Sequence, residues 1–304
     1  MPILSVGEIL WDVFPDAEHL GGAPLNFAAA LQRLGDPVVL ATAVGADARG
    51  EGALQRMRAL GLSTELVQVA PGQATGTALV SKDPSGNASF VLPRPAAYDA
   101  LAVDEALLSR LCLRSWDWLY FGTLAQTPAS QEQLLQRLLA RIPGVRGFYD
   151  MNLREGHWNL ELVQRLSALA AVIKLNEAEA EILFRHTGGG AEFSLERFCR
   201  YGAAAYKVEV MCVTLGEKGC AVLAGDEFQT AAGFPSTAVD TVGAGDAFAA
   251  ALLYGLQRRW PLRRTAAFAN ALGAIVAGRA GAIPEWSVTE LEGLAARGAS
   301  AKMR

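Results

Sequence analysis

Asp240-Thr241-Val242-Gly243-Ala244-Gly245-Asp246-Ala247-Phe248 lies late in a chain of 304 residues, and the rest of the sequence is arranged around it. Gly243, Ala244 and Gly245 carry little or no side chain, so their backbone N–H groups can approach a ligand closely. The run behind them, Asp246 to Arg258, is rich in Ala and Leu and predicts a buried helix. Small residues opening a helix make an anion site, because free N–H groups and the helix dipole point the same way. Asp246 is then a carboxylate beside the place a phosphate would occupy, which suits a general base acting on an attacking hydroxyl. These residues alone also fit a tight turn with Asp246 as a helix cap, and both readings stay open at this point.

The composition narrows the classes. Half of the residues are hydrophobic (51%), enough for a sizeable core, and the length suits one large α/β domain or two small ones. A net charge of −4 with interspersed signs leaves no basic patch and argues against a nucleic-acid partner. Cys112, Cys199, Cys212 and Cys220 have neither CxxC pairing nor zinc spacing and read as reduced thiols of a cytoplasmic protein. The N-terminal stretch lacks a basic region and soon meets Glu8 and Asp12, so it reads as a first strand rather than a signal peptide. The longest apolar stretch, Ala266 to Gly278, is too short to span a bilayer, and no membrane contact is expected.

Working outward, Ile3 to Val6 predicts a buried strand, and Glu8 to Phe14 continues it with Asp12 in apolar company. Asp12 is either a turn residue or a ligand for hydroxyls, since a carboxylate with two acceptor oxygens suits a diol. Gly21-Gly22 precede Asn26 on an Ala-rich helix, Leu25 to Leu34, followed by a strand over Val38 to Val44. Thr75 to Ser81 and Ser89 to Leu92 flank Asp83-Pro84-Ser85-Gly86-Asn87 and predict a β-hairpin, with Arg94 after it as a candidate substrate contact. From Trp116 onward strands and helices alternate, which implies a mostly parallel sheet covered on both faces with ligands at the strands' C-terminal ends.

Three polar clusters fall at such ends. In Asp150-Met151-Asn152-Leu153-Arg154, the Arg154 guanidinium matches phosphate or sugar oxygens. In Lys174-Leu175-Asn176-Glu177-Ala178-Glu179, Asn176 and Glu179 could hold Mg²⁺ through water or could simply cap a helix. Val213-Thr214-Leu215-Gly216-Glu217-Lys218-Gly219 is neither a Walker A loop nor a dinucleotide fingerprint, and on pattern alone it is a hairpin turn.

Asp-Thr-Val-Gly-Ala-Gly-Asp-Ala-Phe resembles the C-terminal signature of the ribokinase-like (PfkB) sugar kinases. Gly21-Gly22-Ala23-Pro24-Leu25-Asn26-Phe27-Ala28, ending in Leu34-Gly35, resembles their N-terminal signature. The two stand in the right order, and the resemblance covers nearly the whole chain. Gly-Gly-Ala-Pro-x-Asn, with the opening Gly-Glu-Ile-Leu-Trp-Asp, is most similar to fructokinases. Val242 departs from the Thr more frequent in the family; the anion site uses backbone groups, so the departure leaves it intact.

The resemblance implies a three-layer α/β/α sandwich as one domain over 1–304, with a small β lid contributed by about 9–20 and 75–98. It implies sugar contacts at Asp12, Gly22, Asn26 and Arg154, and Arg94 remains a candidate contact from its place after the hairpin. ATP is expected along Lys174, Asn176, Thr214, Gly216, Lys218 and Gly219, with Asn270 near adenine. Mg²⁺ is expected at Asn176 and Glu179, and a monovalent cation, potassium, by Asp240, Val242 and Gly281. Asp246 would be the base and Gly243, Ala244 and Gly245 the anion site. The expected activity is ATP-dependent phosphorylation of a primary sugar hydroxyl, with fructose as acceptor. The alternatives are 2-keto-3-deoxygluconate kinase or ribokinase and, from another class, a catalytically silent sugar sensor. An exposed lid edge would allow a homodimer.

Overall fold

Neighbouring residues on a strand point to opposite faces, and in the central strands of this protein both faces are apolar. The computed structural model describes residues 2–82, 88–186, 193–234 and 238–300. The turn expected at 83–87 and the tail at 302–304 lie outside the described residues. In chain order the strands are β1 (Ile3–Val6), β2 (Leu10–Val13), β3 (Glu18–Gly21), β4 (Val38–Gly45), β5 (Val67–Ala70), β6 (Gly76–Lys82), β7 (Ala88–Val91), β8 (Trp118–Gly122), β9 (Arg146–Asp150), β10 (Val172–Asn176), β11 (Val210–Thr214), β12 (Gly219–Ala224) and β13 (Glu227–Ala232).

Nine of them form one sheet in the order β5-β4-β1-β8-β9-β10-β11-β12-β13. The pairings from β5 to β11 are parallel, and β12 and β13 close the far edge antiparallel. Ile3, Tyr120, Phe148 and Val172 pack on one face with the helices Ala23–Leu34, Ala244–Gln257 and Leu262–Ala277. Their immediate neighbours Leu4, Phe121, Tyr149 and Ile173 pack on the other, under Ala129–Arg141 and Leu160–Ser167. The result is the three-layer α/β/α arrangement. Cys199, Cys212 and Cys220 are buried free thiols, and Cys112 is half-buried and also free.

The remaining strands form a separate sheet, β3-β2-β6-β7. Strand β2 pairs antiparallel with β3 and parallel with β6, while β6 and β7 are the hairpin read from the sequence. A small apolar cluster of Leu10, Ala78 and Leu124, with Leu92 against it, joins this sheet to the segment after β8. No helix among the described residues is long and apolar enough to cross a membrane.

The chain leaves β1 to build β4 and β5 on one side, then returns to build β8 and its successors on the other. This reversal is a topological switch point, and the crevice it opens lies at the strands' C-terminal ends.

Candidate active site

A cleft of about 360 Å³ occupies that crevice. Glu8 follows β1, Thr123 follows β8, Arg154 follows β9, Asn176 ends β10 and Thr214 ends β11, and all five line it. Asp12 enters from β2 in the small sheet, Gly22 and Asn26 from the start of helix Ala23–Leu34, and Gly243, Gly245 and Asp246 from helix Ala244–Gln257. Residues from both ends of the chain and from both sheets thus meet in one place.

Helix Ala244–Gln257 starts two residues earlier than the Ala/Leu pattern indicated, because Gly243 is its N-cap in the left-handed region, φ 77°. A Cβ there would lie 2.3 Å from the Ala282 carbonyl oxygen, so both the backbone angle and the space call for glycine. The early start places Gly245 and Asp246 in the first turn, where backbone N–H groups have no intrahelical acceptor. The Ala244 N–H donates to the Thr241 carbonyl at 3.3 Å. Asp240 braces the approach: one carboxylate oxygen accepts from the Val242 N–H and the other from the Gly281 N–H, each at 3.0 Å.

Asp246 is buried at 8% exposure, and its Oδ2 accepts from Asn26 Nδ2 at 2.8 Å. Asn26 therefore orients this carboxylate, while its own Oδ1 is buried with no partner among the described residues. Helix Ala23–Leu34 is held in place by Ser5 Oγ donating to the Pro24 carbonyl at 2.9 Å and by Phe27 stacked on Tyr120 with centroids 3.8 Å apart. Gly22, φ 110°, brings the chain against β1's end; a Cβ would lie 2.6 Å from the Glu8 carbonyl oxygen.

Lys174 is the buried cation of the cleft. Its Nζ donates to Asp150 Oδ1 at 2.9 Å and Oδ2 at 3.2 Å, and Tyr120 donates its hydroxyl to Oδ2 of the same carboxylate at 3.1 Å. A methyl on Gly245 would lie 3.1 Å from that Nζ, so the ammonium borders the glycine loop. Burial by itself would lower the Lys174 pKa, but the carboxylates of Asp150, Asp246 and Glu179 together raise it above its ordinary value. Burial lifts Asp150 to about 6 against the pull of Lys174, so the two remain an ion pair at neutral pH.

The acceptor end is acidic. Burial lifts Asp12 to about 6, with Arg154 and His19 opposing the shift and Asp240 and Asp246 adding to it. Burial lifts Glu8 to about 7, with the charge on Asp246 adding to the shift and Arg154 opposing it. Arg154 is exposed at the cleft wall, and its Nη1 donates to the Leu153 carbonyl at 3.4 Å. Sequence reasoning passed over Glu8 and Thr123. The available signal for Glu8 was an acid directly after the glycine that ends the first strand, the C-terminal edge where ligands collect.

Several of the expected contact residues are engaged by the protein's own groups. Arg94 does not line the cleft: its guanidinium is bound by Asp99 and donates to the Leu124 carbonyl at 2.9 Å. Asn270 donates to the carbonyls of Ala231 and Ala232, both at 3.1 Å, and ties helix Leu262–Ala277 to β13. Glu179 and Asn176 form the reciprocal capping box, with Glu179 N–H to Asn176 Oδ1 at 2.9 Å and Asn176 N–H to Glu179 Oε2 at 2.8 Å. Glu179 Oε1 accepts from the Leu153 N–H at 2.7 Å, so both its oxygens serve backbone groups. Gly216 and Gly219 sit in the connection between β11 and β12, as the hairpin reading required, and Lys218 faces Glu177 at 3.4 Å. Among the described residues no cluster of three or more His, Cys, Asp or Glu forms a metal cage.

The profile of the pfkB family carbohydrate kinases matches residues 13–288. The chain belongs to that family. It is an ATP-dependent carbohydrate kinase, and its nine-stranded sheet with a separate small sheet is the ribokinase-like fold. Fructokinase-1 of rice (Oryza sativa subsp. japonica) is 31% identical, the match covering 95% of each chain. Fructokinase-1 of maize (Zea mays) is 31% identical over 93% of each. The structure of fructokinase from Vibrio cholerae O395 bound to fructose, ADP and calcium superposes with a TM-score of 0.81. Its identity is 25%, over 96% of this chain and 98% of that one.

Proposed function

We propose that this pfkB-family kinase phosphorylates D-fructose on a primary hydroxyl, with Asp246 as general base. The observation that carries the reading is Asp246 itself, buried, held by Asn26, and set in one cleft between the glycine loop and Asp12. Asp246 takes the proton of the attacking hydroxyl, the hydroxyl oxygen bonds to the γ-phosphorus, and the bond from that phosphorus to the bridging oxygen breaks to release ADP. The N–H groups at Gly243 and Gly245 and the Lys174 ammonium offset charge on the transferring group, while the Ala244 N–H is turned to the Thr241 carbonyl. Asp12, Gly22 and Asn26 hold the sugar, and the nucleotide lies along Thr214, Gly216, Lys218 and Gly219.

Magnesium would enter with ATP and screen the charge of the phosphates, a role that needs few direct protein oxygens. Glu179, with both oxygens on backbone N–H groups, shapes the loop that carries Asn176 rather than binding the ion. A potassium ion near Val242 and Gly281 would take backbone carbonyls, with Asp240 setting the loop.

Fructose is preferred over 2-keto-3-deoxygluconate on charge. Glu8, Asp12 and Asp246 make the acceptor end acidic, Arg94 is paired with Asp99, and Lys174 is paired with Asp150, which leaves Arg154 among the described cleft-lining residues to meet a substrate carboxylate. The fructokinase names of the relatives point the same way. The test is ADP release with Mg-ATP over fructose, ribose, glucose, nucleosides and 2-keto-3-deoxygluconate, with and without potassium. A clear preference for fructose supports the reading. Preference for the keto acid moves specificity to Arg154 and removes fructose as the acceptor.

A further inference from the structure

Glu8 is not explained by the fold or by the roles assigned above. It stands between β1 and β2 at the switch point, 4% exposed, on the wall of the cleft. Its Oε2 is buried and has no hydrogen-bond partner among the described residues. An ionisable group in that condition is costly, and proteins retain few of them without a partner. Glu8 has a companion in the same cleft, the unpartnered Oδ1 of Asn26. Asn26 holds Asp246 through its other amide atom, so the vacant oxygens belong to the surroundings of the base.

The groups that face Glu8 come from every element around it. Asp246 acts on it from helix Ala244–Gln257 and Arg154 from the loop after β9. The backbone N–H groups of Glu8 and Ala23 stabilise its charged form, and the ring hydroxyls of Tyr98 and Tyr120 lie within its field. None supplies Oε2 with a hydrogen bond. Asn26 Oδ1 lacks a donor, as does Glu8 Oε2 when the carboxyl is ionised, and adjacent hydroxyls of a polyol supply donors in pairs.

We propose that Glu8 is a direct ligand of the acceptor, its Oε2 accepting a hydroxyl other than the one Asp246 deprotonates. The inference rests on the acceptor being a sugar, and it makes Glu8 a specificity-determining residue beside Asp12. A site built to hydrogen-bond a hydroxyl rejects the analogue that lacks it, because the protein group is left unpaired. Strand β1 pairs with β4 and β8 as far as Val6, and the Gly7 N–H donates to the Ala41 carbonyl at 3.2 Å, which anchors the backbone directly before Glu8.

The experiment is a cycle between protein group and substrate hydroxyl. Steady-state KM and kcat are measured for the parent, Glu8→Ala and Glu8→Gln with fructose and the monodeoxy fructoses. Should the acceptor panel favour another sugar, the fructose reading falls, and the cycle is run with that sugar and its monodeoxy series. Glu8→Ala is expected to raise the acceptor KM by about tenfold or more, with the ATP KM unchanged. For one deoxy sugar the parent and Glu8→Ala are expected to coincide, since the contact is already missing. Glu8→Gln, which keeps the shape and an acceptor oxygen, restores most of the affinity. The proposal is overturned if Glu8→Ala leaves the acceptor KM unchanged. It is equally overturned if the variant weakens every deoxy sugar by the same factor as the full sugar, or lowers sugar and ATP use together with the melting temperature.

Discussion

Asp246 and Glu8 are carboxyls of one cleft with different duties, and two substitutions separate them. Asp246→Asn keeps an oxygen that can accept from Asn26 but cannot take a proton. Its kcat is expected to fall by about 10² to 10⁴, with sugar affinity near the parent's in equilibrium binding. Turnover at the parent's rate would remove Asp246 as the base. Glu8 has a signature in stability. Its pKa is about 7 in the folded protein against an ordinary 4.5, so between those values the folded state holds more protons than the unfolded one. The contribution is full below about pH 4.5 and is lost as pH rises through about 7, on the order of 3 kcal/mol. Chemical denaturation of the parent and Glu8→Gln is expected to show the parent losing ground to the variant between pH 5 and 8. A constant difference would contradict the burial argument. At this scale the sequence is legible where a motif carries the chemistry, as at Asn26 and Asp246. It is silent where a residue's partner is distant: nothing local tells that Asp99 takes up Arg94 or that two carbonyls of β13 take up Asn270.

Strand ends and one helix start do the positioning, and their variants should act on stability and turnover together. Lys174 on β10 and Asp150 on β9 share a buried ion pair. Lys174→Met leaves the Asp150 charge uncompensated and is expected to cost about 3–5 kcal/mol in urea unfolding. Adding Asp150→Asn is expected to recover much of that loss, while phosphoryl transfer stays impaired because the cation beside Gly245 is gone. A double variant as unstable as the single would mean the charge is not the cause. Gly243→Ala forces a side chain into a left-handed backbone and onto the Ala282 carbonyl, costing about 1–2 kcal/mol for the angle alone. Loss of kcat is expected with it, because the first-turn N–H groups are re-aimed. Elements of this kind were readable from the sequence through apolar runs and glycines, apart from their limits. Helix Ala244–Gln257 begins before Asp246 because the αL cap belongs to Gly243 rather than to the apolar period. Strand β3, with its exposed Glu18 and His19, shows no apolar run, and only the family resemblance, with its lid at about 9–20, pointed to it.

In the molecule as a whole, the small sheet has, among the described residues, a smaller buried cluster of its own than either face of the large sheet, with Leu20 and Trp11 tying it to one of them. Leu10, Ala78 and Leu124 are its shared buried cluster, against dozens of apolar residues on the two faces of the large sheet. Few buried contacts mean a low free energy of local opening. Amide exchange is expected to be faster in β2 and β6 than in β8 and β9, and to slow when the accepted sugar is bound. Equal protection in both sheets without sugar would mean that the small sheet does not open on its own. The alternation of strands and helices made the three layers legible, whereas the reach of the small sheet over the cleft depends on contacts between segments far apart in the chain.

Asn26 and Asp246 are separated by 220 residues and joined by one 2.8 Å bond. At a synthesis rate of about 5–20 residues per second, the base appears roughly ten to forty seconds after the amide that orients it. Through that interval the face of β1 and of helix Ala23–Leu34 that packs on helices Ala244–Gln257 and Leu262–Ala277 has no cover. A chain broken between β13 and the glycine loop would place the amide and the base on two fragments, and activity would return only when they reassemble.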